Sequence, residues 1–242
     1  MKTLKITALA LMFLSSMNLL AQEAGKHLFL LSGQSNMARF KHTQLFNPAI
    51  SKALGEDNVI VVRVAQGGQP ISKWYKEWMS SKGEVDPKKG AIYDKLMTET
   101  KEAISGQKIS TVTFIWMQGE ADSKAGNGDV YLKSLKGLQK QLEDDLGRKD
   151  INFVIGRLSD SGFFKKGTIP RENPQWAEVQ KAQMDFAEQN PRAYWIDTDD
   201  FNGEKNELHY IKPEGYEQLG KAYVETALKA LKEHAPTSVS NI

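Results

Sequence analysis

Five short apolar runs, rich in β-branched and aromatic residues, punctuate this chain at residues 27–31, 59–64, 112–117, 152–156 and 193–196. Each is nearly continuous rather than alternating, the pattern of a strand buried on both faces of a parallel sheet. Helical periodicity fills the intervals. Residues 91–104 carry Ile92, Leu96 and Ala103, and residues 130–146 carry Leu132, Leu135, Leu138, Leu142 and Leu146 at spacings of three and four. Residues 174–187 open with Asn173 before Pro174, a favourable N-cap and first-turn pair. Residues 216–231 close the pattern with Leu219, Tyr223, Ala227 and Leu231. Strands alternating with helices predict an α/β fold: a flavodoxin-like three-layer sandwich, a five-stranded parallel sheet with helices on both faces.

With 40% hydrophobic and 26% charged residues, the chain can bury one sizeable core, and disordered or collagen-like classes are excluded. No repeat, low-complexity tract or linker divides it, so residues 22–234 are expected to form a single domain, with residues 235–242 as a frayed tail. Residues 1–21 read as a secretory signal peptide. Lys2 and Lys5 supply its basic start, and an apolar run follows that Ser15, Ser16 and Asn18 interrupt. No later segment could span a bilayer. Secretion, or a bacterial periplasmic location, is the expectation. The chain has no cysteine, so disulfides and thiolate metal sites are excluded. Losing Lys2 and Lys5 balances the 32 basic against the 30 acidic residues, and nothing suggests a nucleic-acid partner. The oligomeric state is not legible.

In a doubly wound sheet, ligands bind beyond the carboxyl ends of the strands. The segments that follow the predicted strands are Ser32-Gly33-Gln34-Ser35-Asn36-Met37, Ala65-Gln66-Gly67-Gly68-Gln69-Pro70, Gln118-Gly119-Glu120-Ala121-Asp122 and Asp197-Thr198-Asp199-Asp200, with His209 a little further on. All are rich in glycine and polar groups, and all should meet on one rim. Ser35, in a turn that Gly33 permits, can be a nucleophile if a base reaches it. The chain has four histidines. His27 begins the first strand, at the end opposite Ser35. Nothing near His42 fixes its ring. His234 ends the last helix, where a cation suits the dipole. By elimination His209, in the loop before that helix, is the base. An oxyanion needs preorganised donors, and Gly67, Gly68, Gln118 and the Ser35 N–H are the candidates. Trp74, with Tyr75 and Trp78 following, offers either a flat face for a sugar ring or helix packing, while Trp176 and Trp195 read as core. Asp197, Asp199 and Asp200 lack the spacing of a metal loop, and no metal or cofactor is expected.

Gly33-Gln34-Ser35-Asn36-Met37, Gly67-Gly68 with Ile71 and Trp74, Trp116-Met117-Gln118-Gly119-Glu120, and His209 together resemble the sialate O-acetylesterase and acetyl xylan esterase branch of the SGNH hydrolases. The resemblance implies a metal-free serine esterase that removes O-acetyl groups from a carbohydrate. It implies an oxyanion hole of Ser35, a glycine of the second motif and Gln118. The substrate side is then expected at Gln34, Asn36, Trp74 and Arg39. Two departures stand out. SGNH enzymes commonly carry Asp three residues before the histidine, where this chain has Asn206. Members of this branch can instead orient the histidine with the Glu of the third motif, here Glu120, which becomes the expected third member. Glu207, Asp200 and a backbone carbonyl are its rivals. Met117 stands where relatives often have histidine, a change expected at the pocket wall or leaving-group side. For a sialic acid, whose carboxylate calls for an arginine, Arg39 and Arg157 are the candidates. The rival functions are a binding protein that has lost catalysis, favoured by Asn206, and an esterase or thioesterase for non-sugar esters.

Overall fold

The computed structural model describes residues 25–160, 174–203 and 207–235. The expected signal peptide, Asn206 and all of the expected tail but Ala235 lie outside the described residues. Five parallel strands form one sheet in the order β2-β1-β3-β4-β5. They are β1 (Lys26–Gly33), β2 (Val59–Ala65), β3 (Ile109–Met117), β4 (Asn152–Gly156) and β5 (Ala193–Ile196). This is the flavodoxin-like arrangement that the alternation of strands and helices predicts. The long helices also follow the sequence: α4 (Ala91–Ala103), α6 (Gly128–Leu146), α7 (Pro174–Glu188) and α8 (Glu214–Glu233). Four short helices carry no readable periodicity: α1 (Ser35–Arg39), α2 (His42–Leu45), α3 (Asn47–Leu54) and α5 (Glu120–Ala125).

The sheet is buried from both sides because its strands carry large side chains on both faces. On one face Phe114, Trp116 and Phe153 form an aromatic layer that reaches Trp74 and, on α7, Phe186. On the other, Phe29 meets Phe46 edge to face, and Phe40 meets Tyr223 of α8. Burying each such side chain stabilises the fold by about 1.5–3 kcal/mol. Trp176 is core, as expected. Trp195 is not: it lies on the edge strand, 37% exposed, with the Arg157 guanidinium over its ring. An edge strand has only one neighbour to cover it, and a local apolar run does not reveal which strand will be the edge.

The chain steps from β1 to β2 on one side, then crosses to β3 on the other. That reversal opens a crevice at the carboxyl ends of β1 and β3. The three strand ends finish level, with Gly33 paired to Ala65 on one side and Met117 on the other.

Candidate active site

Level strand ends bring the three glycine-rich loops side by side. Gly33, the last residue of β1, has φ +145°, and a Cβ there would collide with the Met117 carbonyl. The chain then turns, and the Gln34 N–H donates to that same carbonyl at 2.8 Å. Ser35 follows as the first residue of α1, half-buried. The second loop lies against it: a Cβ on Gly67 would stand 3.7 Å from Ser35 Cβ. That is ordinary van der Waals distance, so Gly67 lies against Ser35. Gly68, by contrast, has nothing within 4 Å of its Cβ position and serves the turn.

Asn36 joins Ser35 to the loop of His209. Its Nδ2 donates to the Leu208 carbonyl at 3.1 Å and to Glu120 Oε1 at 3.3 Å. Its Oδ1 accepts from the Tyr216 hydroxyl at 3.0 Å and, at 3.5 Å, from the Tyr210 N–H. Both chain neighbours of His209 are therefore bonded to the residue after Ser35. His209 itself is half-buried. Burial pushes its pKa below the usual histidine value, the positive charges of Arg39 and Lys212 push it further, and Glu207 opposes them. The other histidines are engaged away from this rim or in other contacts. His27 bonds Thr111 at the start of the sheet, His42 opens α2 under the influence of Arg63, and His234 meets Tyr194 and the Pro191 carbonyl.

The third loop is a buried polar network. Gln118 is fully buried, and its Nε2 faces Asp122 Oδ2 at 2.6 Å, the Gln69 carbonyl at 3.1 Å and Gln34 Oε1 at 3.2 Å. Its Oε1 accepts from the Tyr131 hydroxyl at 2.9 Å. An amide has two N–H groups, and these acceptors engage them, so Gln118 ties the three loops together. Gln34 is buried likewise, its Oε1 also accepting from the Ala121 N–H at 3.2 Å. Glu120 and Asp122 are buried carboxyls, each pushed up to about 7 by burial, with the Asp122 charge adding to the effect on Glu120.

Several expected site residues are buried in the structure rather than open at the rim. Gln34 and Asn36 are buried in the network. Trp74 is core: it is fully buried, it packs on Trp116 at 5.1 Å, and its Nε1–H donates to Ser32 Oγ at 2.8 Å. Glu120 bonds Asn36, and the carboxylate whose charge acts on His209 is Glu207. Met117 is buried beneath the His209 loop, where its Sδ accepts from the Tyr210 hydroxyl at 3.5 Å. Arg157 is taken up by Asp197 and Asp199, both at 2.7 Å. Arg39 alone of the expected substrate residues is exposed. Tyr216 and Asp122 were not singled out by their residue type. Both are polar groups in otherwise structural surroundings, and only the strand-end register brings them in.

A family model described as a carbohydrate esterase, sialic acid-specific acetylesterase, matches residues 39–229, a span that begins just after Ser35 and includes Glu120 and His209. Among solved structures, a protein of Arabidopsis thaliana superimposes with a TM-score of 0.63 at 18% identity, covering 85% of this chain and 98% of its own. A carbohydrate acetylesterase from Xanthomonas citri gives 0.58 at 15% identity over 86% of this chain, which spans 56% of that protein. A lipase from a goat rumen metagenome gives 0.51 at 13% identity, covering 87% and 97% of the two chains. At such identities the likeness is one of fold. No curated protein matches the chain.

Proposed function

We propose, since this chain belongs to the sialic acid-specific acetylesterase family of carbohydrate esterases, that it releases acetate from O-acetylated sugars through an acyl-enzyme on Ser35. The observation that carries this reading is the hydrogen bonding of Asn36 to both neighbours of His209, beside Ser35 and the close approach of Gly67. Ser35 Oγ attacks the acetyl carbonyl while His209 accepts its proton. The Ser35 and Gly67 N–H groups hold the oxyanion; losing such a donor costs roughly 10²–10³ in rate. Protonated His209 then gives its proton to the sugar oxygen. Water, deprotonated by His209, attacks the acetyl-enzyme; the bond from Ser35 Oγ to the acetyl carbon breaks, Ser35 takes back a proton from His209 and acetate leaves.

The depressed pKa of His209 keeps the imidazole neutral at neutral pH, the form a base requires. Glu207 supplies the negative charge that favours the imidazolium formed during the reaction. Arg39 and Lys212 make the rim beside His209 positive, which suits a sugar bearing a carboxylate. The basic, apolar leader supports export to the periplasm or beyond.

Ser35→Ala tests the mechanism. Turnover of 4-nitrophenyl acetate and labelling by a fluorophosphonate should both vanish while the circular dichroism spectrum is unchanged. Retained turnover would remove Ser35 from the reaction. Acetate release compared between O-acetylated sialic acid and acetylated xylan tests the substrate. Arg39→Gln should raise KM for the first and leave the second alone.

A further inference from the structure

We infer that Asn36 is the positioning residue for His209, pinning the histidine loop to the Ser35 helix, and that Glu120 acts on the histidine only through Asn36. The inference rests on the Ser35–His209 reading for its catalytic consequence, but the clamp itself is a matter of hydrogen bonding.

A carboxylate that orients a catalytic histidine bonds the ring directly. Glu120 is instead bonded to Asn36, and the charges that reach His209 are those of Arg39, Lys212 and Glu207. Asn36 is a buried amide with all of its hydrogen-bonding capacity used. Its two N–H groups meet the Leu208 carbonyl and Glu120 Oε1, and its oxygen meets the Tyr210 N–H and the Tyr216 hydroxyl. Two of these partners, Glu120 and Tyr216, come from outside the histidine loop. The backbone partners fix which way the amide faces: the Leu208 carbonyl can only accept and the Tyr210 N–H can only donate, so a flipped amide would set Oδ1 against a carbonyl and Nδ2 against an N–H. Glu120 Oε1 as acceptor and the Tyr216 hydroxyl as donor complete the same orientation from outside the loop. With the orientation so set, Leu208 and Tyr210 are held on either side of His209. The imidazole is left with its own side-chain torsions and little else.

Glu120 then needs an acceptor oxygen at Oε1 but no charge. A glutamine supplies the oxygen; a direct ion-pairing role would not survive the change. Burial that leaves Glu120 half-ionised near pH 7 agrees with a role that both protonation states can fill.

The experiment compares wild type, Glu120→Gln, Asn36→Ala and Tyr216→Phe. It measures kcat and KM with 4-nitrophenyl acetate, and amide hydrogen exchange of residues 207–212. Asn36→Ala should lower kcat by about a hundredfold with KM within a fewfold, as a misplaced group does, and should speed exchange in the loop by tenfold or more. Tyr216→Phe should move both in the same direction, by less. Glu120→Gln should keep kcat within about tenfold and keep the loop protected. A thousandfold loss of kcat in Glu120→Gln with the loop still protected would overturn the inference, since it would put the carboxylate charge on the histidine itself. So would wild-type exchange in a folded Asn36→Ala. If Asn36→Ala does not fold, the Glu120→Gln and Tyr216→Phe results still decide. Should the wild type show no turnover, the esterase reading fails, and the exchange pattern alone decides the clamp.

Discussion

Replacing Asp122 by asparagine isolates the energetic consequence of burying a carboxyl under the site. Both of its bonds fall on a single oxygen: Oδ2 accepts from Gln118 Nε2 at 2.6 Å and from the Ile71 N–H at 2.9 Å. Oδ1 has no hydrogen-bond partner. An asparagine can therefore put its oxygen where Oδ2 lies and its NH₂ where Oδ1 lies, keeping both bonds. What changes is titration. Burial raises the Asp122 pKa from 3.8 to about 7 in the folded chain. A raised carboxyl pKa contributes stability that is complete below the unfolded value and is lost as pH climbs through the folded one. Asparagine never ionises and loses nothing. Between pH 5 and pH 7 the native carboxyl keeps a proton that the unfolded one has released, at about 1.4 kcal/mol per pH unit. Wild type should thus lose about 2–3 kcal/mol relative to the variant across that interval. Glu120 reinforces the trend, because the Asp122 charge also pushes its carboxyl up. His209 and the other histidines are common to both proteins, and their titration cancels in the difference to first order. Urea unfolding at pH 5, 6, 7 and 8 measures it. Stability curves for wild type and Asp122→Asn that run parallel across the interval would refute the argument, since they would require Asp122 to fold as readily charged as neutral.

Trp74→Phe should lower unfolding stability by about 1–3 kcal/mol, from the lost bond to Ser32 and the space left beside Trp116. KM for an acetylated sugar should be unchanged; a raised KM in a protein of unaltered stability would return Trp74 to the substrate. The acid limb of the pH–rate profile should lie below the ordinary histidine value, because the base form of His209 persists to lower pH when its pKa is depressed. Removing the Arg39 charge by Arg39→Gln should move that limb to higher pH, and a limb that stays put would separate Arg39 from His209. Gly33→Ala should prevent stable folding, since a side chain there meets both an unfavourable φ and the Met117 carbonyl. A soluble variant with a cooperative thermal transition near that of wild type would count against the crowding.

The five apolar runs and the helices between them were legible in the sequence, because burial on two faces leaves a continuous apolar signature and burial on one leaves a period near 3.6. Ser35 and His209 could be put forward as candidates for a related reason. Few residues can do their chemistry, and the loops after the strands had to share a rim. The short helices were not legible, since four to eight residues carry too little periodicity to stand out. Nor were the roles of the polar residues around the site. Gln34, Asn36, Gln118 and Glu120 look alike on paper as groups that could face a substrate, and Trp74 looks like a sugar platform. Which of them turn inward depends on the level finish of β1, β2 and β3, and on Tyr131, Asp122 and Tyr216 arriving from other elements to fill their hydrogen bonds. Chemical type is written residue by residue, and so the chain alone determined the fold class and supplied the candidates for the reacting groups. Hydrogen-bond partnership belongs to pairs that are distant in sequence, and so only the tertiary structure decided that Glu120 holds Asn36, that Gln118 binds loops together, and that Arg39 is left facing solvent beside the histidine.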